Sequence, residues 1–282
     1  MKHINSLKRI FRYIFKGVPT IYTTAEIIQL DAGKSLMNKN ILITGGGRGI
    51  GFFIAKKCIN EGARVLIAGR NENTLTTAAQ QLGNNCNYLQ VDISDIKTLP
   101  SFIVNSFALM GGRIDCLVNN ASISLHEPDF RNVSESGYDM QFDINLKGNY
   151  FLTQYFIEKF EKTNNQSKGN ILFISSERGS IHSDIPYGLS KAAINSLIGG
   201  LSRRLSKNRL NIRVNALAPG VTASDMTGRS VSENLTYESS PIGRILLPEE
   251  VAEVASFLLS DVSSCISGEI IHCDSGKHIN FI

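Results

Sequence analysis

The 282-residue sequence predicts a doubly wound α/β fold, a seven-stranded parallel sheet with helices on both faces. Three observations carry that prediction. Short β-branched runs recur from Asn40 onward, helix-period stretches separate most of them, and the first run passes straight into a glycine cluster that opens a helix. Apolar strands alternating with helices describe a parallel sheet covered on both sides. No polar linker divides these runs and no internal repeat relates them, so residues 38–282 read as one domain.

The expected strands are Ile41-Leu42-Ile43, Val65-Leu66-Ile67, Tyr88–Val91, Cys116-Leu117-Val118, Ile171–Ile174, Ile212-Arg213-Val214 and Ile270-Ile271. Gly51–Asn60 reads as a helix, with Ile50, Ile54 and Cys58 on one stripe. Gly148–Glu161, Lys191–Leu205 and a stretch near Glu249–Leu259 read as three more. Thr222 to Ser240 breaks the alternation: it is rich in Ser, Thr, Glu and Asn, and Pro241 follows it. A connection of that length and polarity is expected to be a lid or binding loop, spanning about 222–247.

Composition bounds the function. At 42% hydrophobic and 19% charged, the chain is too apolar for intrinsic disorder. It has no run of 18 apolar residues, which excludes a membrane-spanning helix. Residues 1–37 carry six basic and two acidic side chains, while the rest carries 23 of each sign. The body therefore has no nucleic-acid footprint. Cys58, Cys86, Cys116, Cys265 and Cys273 lack disulfide or zinc spacing, so they are expected as small buried hydrophobes in a cytoplasmic protein. The five histidines, His3, His126, His182, His272 and His278, form no ligand cluster, and no metal is expected.

Residues 1–37 form a basic extension. Ile4, Leu7, Ile10, Phe11, Ile14, Phe15 and Val18 share a helical stripe that ends at Gly17 and Pro19. Such a helix, residues 1–18, suits peripheral contact with an anionic membrane, a partner, a targeting role, or packing on its own protein. The sequence alone does not choose among them.

The chemistry begins at Thr44-Gly45-Gly46-Gly47-Arg48-Gly49-Ile50-Gly51, between the first strand and the first helix. Glycines there let the backbone approach a pyrophosphate, whose charge sits at the helix N-terminus. The spacing T-G-x-x-x-G-x-G resembles the fingerprint of the short-chain dehydrogenase/reductase family, in its single-domain branch with a Rossmann fold. Further motifs follow in order: Asn119-Asn120-Ala121, Asn145 within Asp143–Gly148, Ser176, Tyr187-Gly-Leu-Ser-Lys191, Arg213–Gly220, Pro248–Val251 and Asp274-Ser275-Gly276. The resemblance covers about residues 38–280.

That resemblance implies a nicotinamide-dependent oxidoreductase with Asn145, Ser176, Tyr187 and Lys191 as its catalytic residues. Ser176 would hold the substrate oxygen, Tyr187 would transfer the proton, and Asn145 would hold a water leading to Lys191. Cofactor contacts are implied at Thr44, Gly45, Gly47, Arg48, Gly49, Ile50 and Gly51 in the glycine loop. Others are implied at Arg70, Asp92 and Ile93, at Asn119 and Ala121, at Tyr187 and Lys191, and at Pro219, Gly220, Val221 and Ser224. A tyrosine is a poor acid–base near neutrality, with an ordinary pKa of about 10. Lys191, four residues on, shares its helix face and is expected to lower it together with an oxidised nicotinamide.

The second strand ends at Ala68-Gly69-Arg70-Asn71, without the acidic residue that would accept the ribose hydroxyls of NAD. Arg48 and Arg70 suit a 2′-phosphate, so NADP(H) is expected over NAD(H), Glu72 being the one dissenting charge. Three features depart from the family pattern: Ser122 and Ser275 stand where glycines are usual, the Ser176–Tyr187 interval is short, and Ser224 replaces a threonine.

Within the family the motif order is close to that of the 3-oxoacyl-(acyl-carrier-protein) reductases, which implies a small-molecule or carrier-bound carbonyl substrate. Arg203, Arg204, Lys207 and Arg209 form a basic group that could meet an acidic carrier protein. The polar 222–247 segment suits a sugar, polyol or other small polar alcohol instead. A cofactor-binding sensor without turnover is a third reading, against which the retained Tyr187 and Lys191 argue. Assembly as a homotetramer or homodimer through the Gly148–Glu161 and Lys191–Leu205 helices is implied by resemblance.

Overall fold

The computed structural model describes residues 34–163, 168–208, 210–230 and 234–279. The helix expected at 1–18 lies outside the described residues. Seven strands form one parallel sheet: β1 (Asn40–Thr44), β2 (Arg64–Gly69), β3 (Cys86–Gln90), β4 (Cys116–Asn119), β5 (Gly169–Ile174), β6 (Ile212–Pro219) and β7 (Ile270–Cys273). Their spatial order is β3-β2-β1-β4-β5-β6-β7, with every neighbouring pair parallel. The chain winds outward from β1 in one direction, then restarts at β4 in the other. That reversal opens a crevice beyond the carboxyl ends of β1 and β4.

Strand side chains alternate between two cores, as a two-residue period requires. Leu42, Leu66, Leu117, Ile171, Phe173 and Val214 face one side of the sheet. Helices α3 (Leu99–Leu109), α5 (Asn149–Thr163) and α6 (Pro186–Lys207) cover that side with Phe107, Phe156, Phe160, Ile194 and Ile198. Ile41, Ile43, Val65, Ile67, Val118, Leu172 and Leu217 face the other side. Helices α1 (Gly49–Asn60), α2 (Glu72–Leu82) and α7 (Pro248–Leu259) cover it with Ile54, Leu75, Val251, Ala255 and Leu258. The short α4 (Glu135–Phe142) leads through a π-helical segment, Asp143–Gly148, into α5.

Three helices escape the sequence pattern for physical reasons. Helix α2 is mostly polar and buries only Leu75 and Ala78, whereas α3 is apolar almost all round and shows no stripe. Helix α4 is eight residues long and buries only Gly137 and Gln141. Helix α6 starts at Pro186, not Lys191, because proline is suited to the first turn, and this brings Tyr187 into the helix. Strand β6 continues to Pro219, five residues past the apolar run that marks its start.

Leu36 is fully buried in the core of α1, α2 and α7, and its N–H donates to the Glu61 carbonyl at 3.0 Å. Cys58, Cys86 and Cys116 are buried free thiols, but Cys265 is exposed. Ser275 takes a left-handed φ of 58°, which explains why glycine is usual there; a serine in that conformation costs roughly 1–2 kcal/mol. Within 222–247 the described residues are partly ordered by pairing, with bridges from Thr222 to Leu246 and from Thr236 to Arg244. No helix among the described residues is long and apolar enough to cross a membrane, and none of their His, Cys, Asp and Glu side chains form a group able to hold a metal ion.

Arg213, at the amino end of β6, ties the sheet to the end of α7. Its guanidinium donates to the carbonyls of Ile266, Leu258 and Ser260, each at 3.0 Å. Arg213→Met should lower unfolding free energy by about 2 kcal/mol in urea titrations, since three half-buried carbonyls lose a charged donor. Dinucleotide affinity should not change, because Arg213 lies at the end of the sheet opposite the crevice.

Candidate active site

The crevice at the switch point is held open by side chains that stitch β1 to β4. Thr44 Oγ1 accepts from the N–H groups of Asn120 and Ala121, both at 3.1 Å. The Asn120 amide donates back to the carbonyls of Thr44 (2.9 Å) and Gly45 (3.1 Å). The loop turns at Gly45, whose φ of +66° suits glycine. Helix α1 then starts at Gly49 with no acidic residue in its first turn, leaving its amino end positive toward the crevice.

A cavity of about 920 Å³ runs along this crevice. At one end it is lined by Thr44, Gly45, Gly47, Arg48, Gly49 and Ile50, with Gly69, Arg70, Asn71, Asp92 and Ile93 beside them. Ala121, Pro219, Gly220 and Val221 also line it, as does Ser224, which packs against Gly49. Ser176, Tyr187 and Lys191 stand together at the far end with Ile123, His126, Glu127 and Ile185. Thr222 and residues 224–227 form part of the wall, and Arg48 pairs with Asp225 at 3.5 Å.

Three sequence-predicted residues stand apart from the cavity lining. Asn119 is buried with its amide donating to Thr153 Oγ1 at 2.8 Å, toward α5; its neighbour Asn120 faces the crevice instead. Gly51 serves packing: a Cβ there would run into the Gly45 carbonyl and the Asn120 amide. Asn145 is fully buried and its side chain is saturated. Its Oδ1 accepts from Ser122 Oγ (3.0 Å) and Ile123 N–H (2.8 Å), and its Nδ2 donates to Ile123 O (2.9 Å) and Ser190 Oγ (3.2 Å). Those four bonds use its whole side-chain capacity, so the side chain does not hold the expected water. It props the 122–123 loop, and Ser122, where glycine is usual, supplies one of the props.

Burial perturbs two titratable groups of this cluster. Lys191 is buried, its ammonium 2.8 Å from the Ile174 carbonyl and 5.7 Å from the Tyr187 ring centroid, and burial pulls it down to about 7. Burial pushes the Tyr187 phenol up, a hydrogen bond with Ser176 opposes this, Glu177 adds to the rise and Arg178 works against it. Among the protein's own groups, desolvation outweighs the charges acting on the phenol. Ser176 also accepts from the Arg178 N–H at 3.2 Å, which caps the turn after β5.

Pattern searching missed Asn120, which shows only as the second of two asparagines, and Glu177, which carries no motif. The donor set fits a dinucleotide: a glycine loop, a bare helix amino end, two arginines and a cavity long enough to reach Tyr187. Residues 45–278 match the family model described as Enoyl-(Acyl carrier protein) reductase. The chain belongs to the short-chain dehydrogenase/reductase family. It is an oxidoreductase of the NAD(P)-dependent kind that this family comprises.

Relatives in the short-chain dehydrogenase/reductase family cover most of the chain. The 3-oxoacyl-(acyl-carrier-protein) reductase FabG of Chlamydia muridarum is 38% identical over 250 residues, 86% of this chain and 98% of its own. The 3alpha-hydroxysteroid dehydrogenase of Mediterraneibacter gnavus is 34% identical over 253 residues, 85% of this chain and 96% of its own. The crystal structure of a 3-ketoacyl-(acyl-carrier-protein) reductase from Brucella melitensis, complexed with NADH, superposes with a TM-score of 0.79 at 28% identity. It covers 86% of this chain and 99% of that one.

Burial of Lys191 makes stability depend on pH. Its pKa falls from the ordinary 10.5 to about 7 on folding, so between those values the unfolded chain binds a proton that the folded chain does not. Stability from this group therefore rises with pH from about 7 upward. Lys191→Met should remove that rise, about 2 kcal/mol between pH 7 and 9, in the difference between variant and parent urea curves. The difference is the readout, because the buried cysteines, pushed up by burial, titrate with the opposite sign at higher pH.

Proposed function

We propose that the protein is an NADP(H)-preferring reductase that interconverts a carbonyl and a secondary alcohol. The observation that carries this is the convergence of Ser176, Tyr187 and Lys191 at one end of a cavity whose other end carries the glycine loop, Arg48 and Arg70. The Ser176 hydroxyl and the Tyr187 phenol would hold the substrate oxygen, and Tyr187 would give it a proton. A phenol held high by burial is a competent donor to a developing alkoxide, and Lys191 four residues on would stabilise the phenolate left behind. Asn145 acts at one remove, by holding the loop that faces Tyr187.

Bound along the glycine loop, a reduced nicotinamide dinucleotide would supply the hydride. Thr44, Gly47, Arg48, Ser224 and the amino end of α1 would hold its phosphates; Gly220 and Val221 would flank its nicotinamide end. Arg48 and Arg70 favour a 2′-phosphate because two guanidiniums can bind it with charge-assisted bonds. The substrate class that the relatives support is a 3-oxoacyl thioester, by their printed activity. A small polar alcohol or sugar is the second reading, favoured by Ser122, Ser124, His126, Glu127 and Thr227 in the cavity wall. Exposed Tyr150 on α5 and Leu189 on α6 support assembly into a homo-oligomer through those helices.

Two measurements test this. Tyr187→Phe should lower kcat for NADPH-driven reduction of an acetoacetyl thioester by about 10²–10⁴-fold, with NADPH affinity retained. Turnover of keto-sugars but not the thioester would assign the second reading; a Tyr187→Phe protein as active as its parent would overturn both. Replacing Arg48 and Arg70 together with alanine should raise Kd for NADPH by about tenfold or more and leave NADH nearly unchanged. Equal losses for both dinucleotides would show that neither arginine reads the phosphate.

A further inference from the structure

Directly after Ser176 lies a buried carboxylate that the reaction does not use. Glu177 is 3% exposed, and its Oε1 accepts from Lys277 Nζ at 2.8 Å across 100 residues of sequence. The Lys277 ammonium also donates to the Tyr237 hydroxyl at 3.3 Å and stands 4.9 Å over that ring. One ion pair thus joins the turn that carries Ser176, the 222–247 segment through Tyr237, and the turn after β7. Glu177 Oε2 has no hydrogen-bond partner among the described residues and lies against Gly220, where a Cβ would come within 3.3 Å of it. An unpaired buried ion is costly, so each of these charges holds the other in place.

We propose that the Glu177–Lys277 pair is a positioning device for the acid–base group of the site, fixing the Ser176 turn and setting a negative charge against the Tyr187 phenol. The inference rests on the reading of Tyr187 as the proton donor. The charged groups that act on the phenol are Glu177 and Arg178 from the turn after β5, and Lys191 on its own helix. Facing Glu177 are Lys277 and Asp274 from the carboxyl-terminal turn, and Tyr237 and Arg244 from the 222–247 segment, all around a small chamber behind Gly220. Burial holds the phenol up first and Glu177 adds to it, which suits a proton donor to substrate, so removing Glu177 shifts the balance toward phenolate.

Titrating tyrosinate absorbance of the full chain tests this without turnover. The difference between the Glu177→Gln protein and a Glu177→Gln/Tyr187→Phe protein isolates Tyr187, as does the same subtraction for the parent. The Tyr187 midpoint should fall by about one pH unit in Glu177→Gln. The double variant Glu177→Gln/Lys277→Met, which leaves no unpaired ion, should also fall, but by less, and it serves if the single variant does not fold. The high-pH limb of kcat/KM for acetoacetyl thioester reduction with NADPH should move down in parallel. An unchanged or higher midpoint in a folded variant would overturn the proposal. A lowered midpoint in proteins that turn over no carbonyl would leave the pair's effect on the phenol standing and overturn the reductase reading instead.

Discussion

Everything in the site hangs on the stitch between β1 and β4. At a point where the sheet changes winding direction, no helix crossover holds the two strands together from above. The Thr44 hydroxyl and the Asn120 amide do so instead, exchanging four hydrogen bonds across the crevice floor. They fix the carbonyls of Thr44 and Gly45, and so fix where the glycine loop turns and where helix α1 begins. The positive end of that helix, the two arginines and the cavity beyond are placed by consequence. Gly51 belongs to the same constraint, because only a bare Cα lets the helix close onto the Gly45 carbonyl.

Around this frame the protein buries polar groups at a cost that a plain core would avoid. Asn145, Lys191, Glu177 and Lys277 are all nearly inaccessible, and each is held by named partners. A buried ion or amide that keeps its partners specifies one geometry, since any displacement leaves a polar group unpaired in low dielectric. The π-helical turn at Asp143–Gly148 carries Asn145 inward, and Gly148 there lies so close to the Ile93 carbonyl that a side chain would not fit. These costly groups lie around Ser176 and Tyr187, the residues proposed to carry the chemistry.

Some corrections to the sequence reading share one physical origin. Whether Asn119 or Asn120 faces the crevice depends on the phase of β4 at its carboxyl end, where one residue of offset turns a side chain to the opposite face of the sheet. Whether Asn145 relays protons or props a loop depends on which neighbours saturate its amide. How far each of Tyr187 and Lys191 departs from its ordinary range depends on how much water surrounds it, which helix spacing does not show. Helices α3 and α4 were obscure for a simpler reason: their apolar residues are too many or too few to draw a stripe, whereas α2 carries a short one, Leu75, Ala78, Ala79 and Leu82, among polar neighbours.

The sequence by itself determined the parallel seven-stranded architecture, the glycine-loop context and the four-residue spacing of Tyr187 and Lys191. Those features are local: strand and helix periods, turn residues and helix faces are written within a few neighbouring positions. The tertiary structure decided which polar side chains meet, as in the pairing of Glu177 with Lys277 from the far end of the chain. It also decided the protonation balance at the site, because desolvation depends on atoms contributed by many segments at once. Contacts between remote positions and the exclusion of water exist only after the chain has folded.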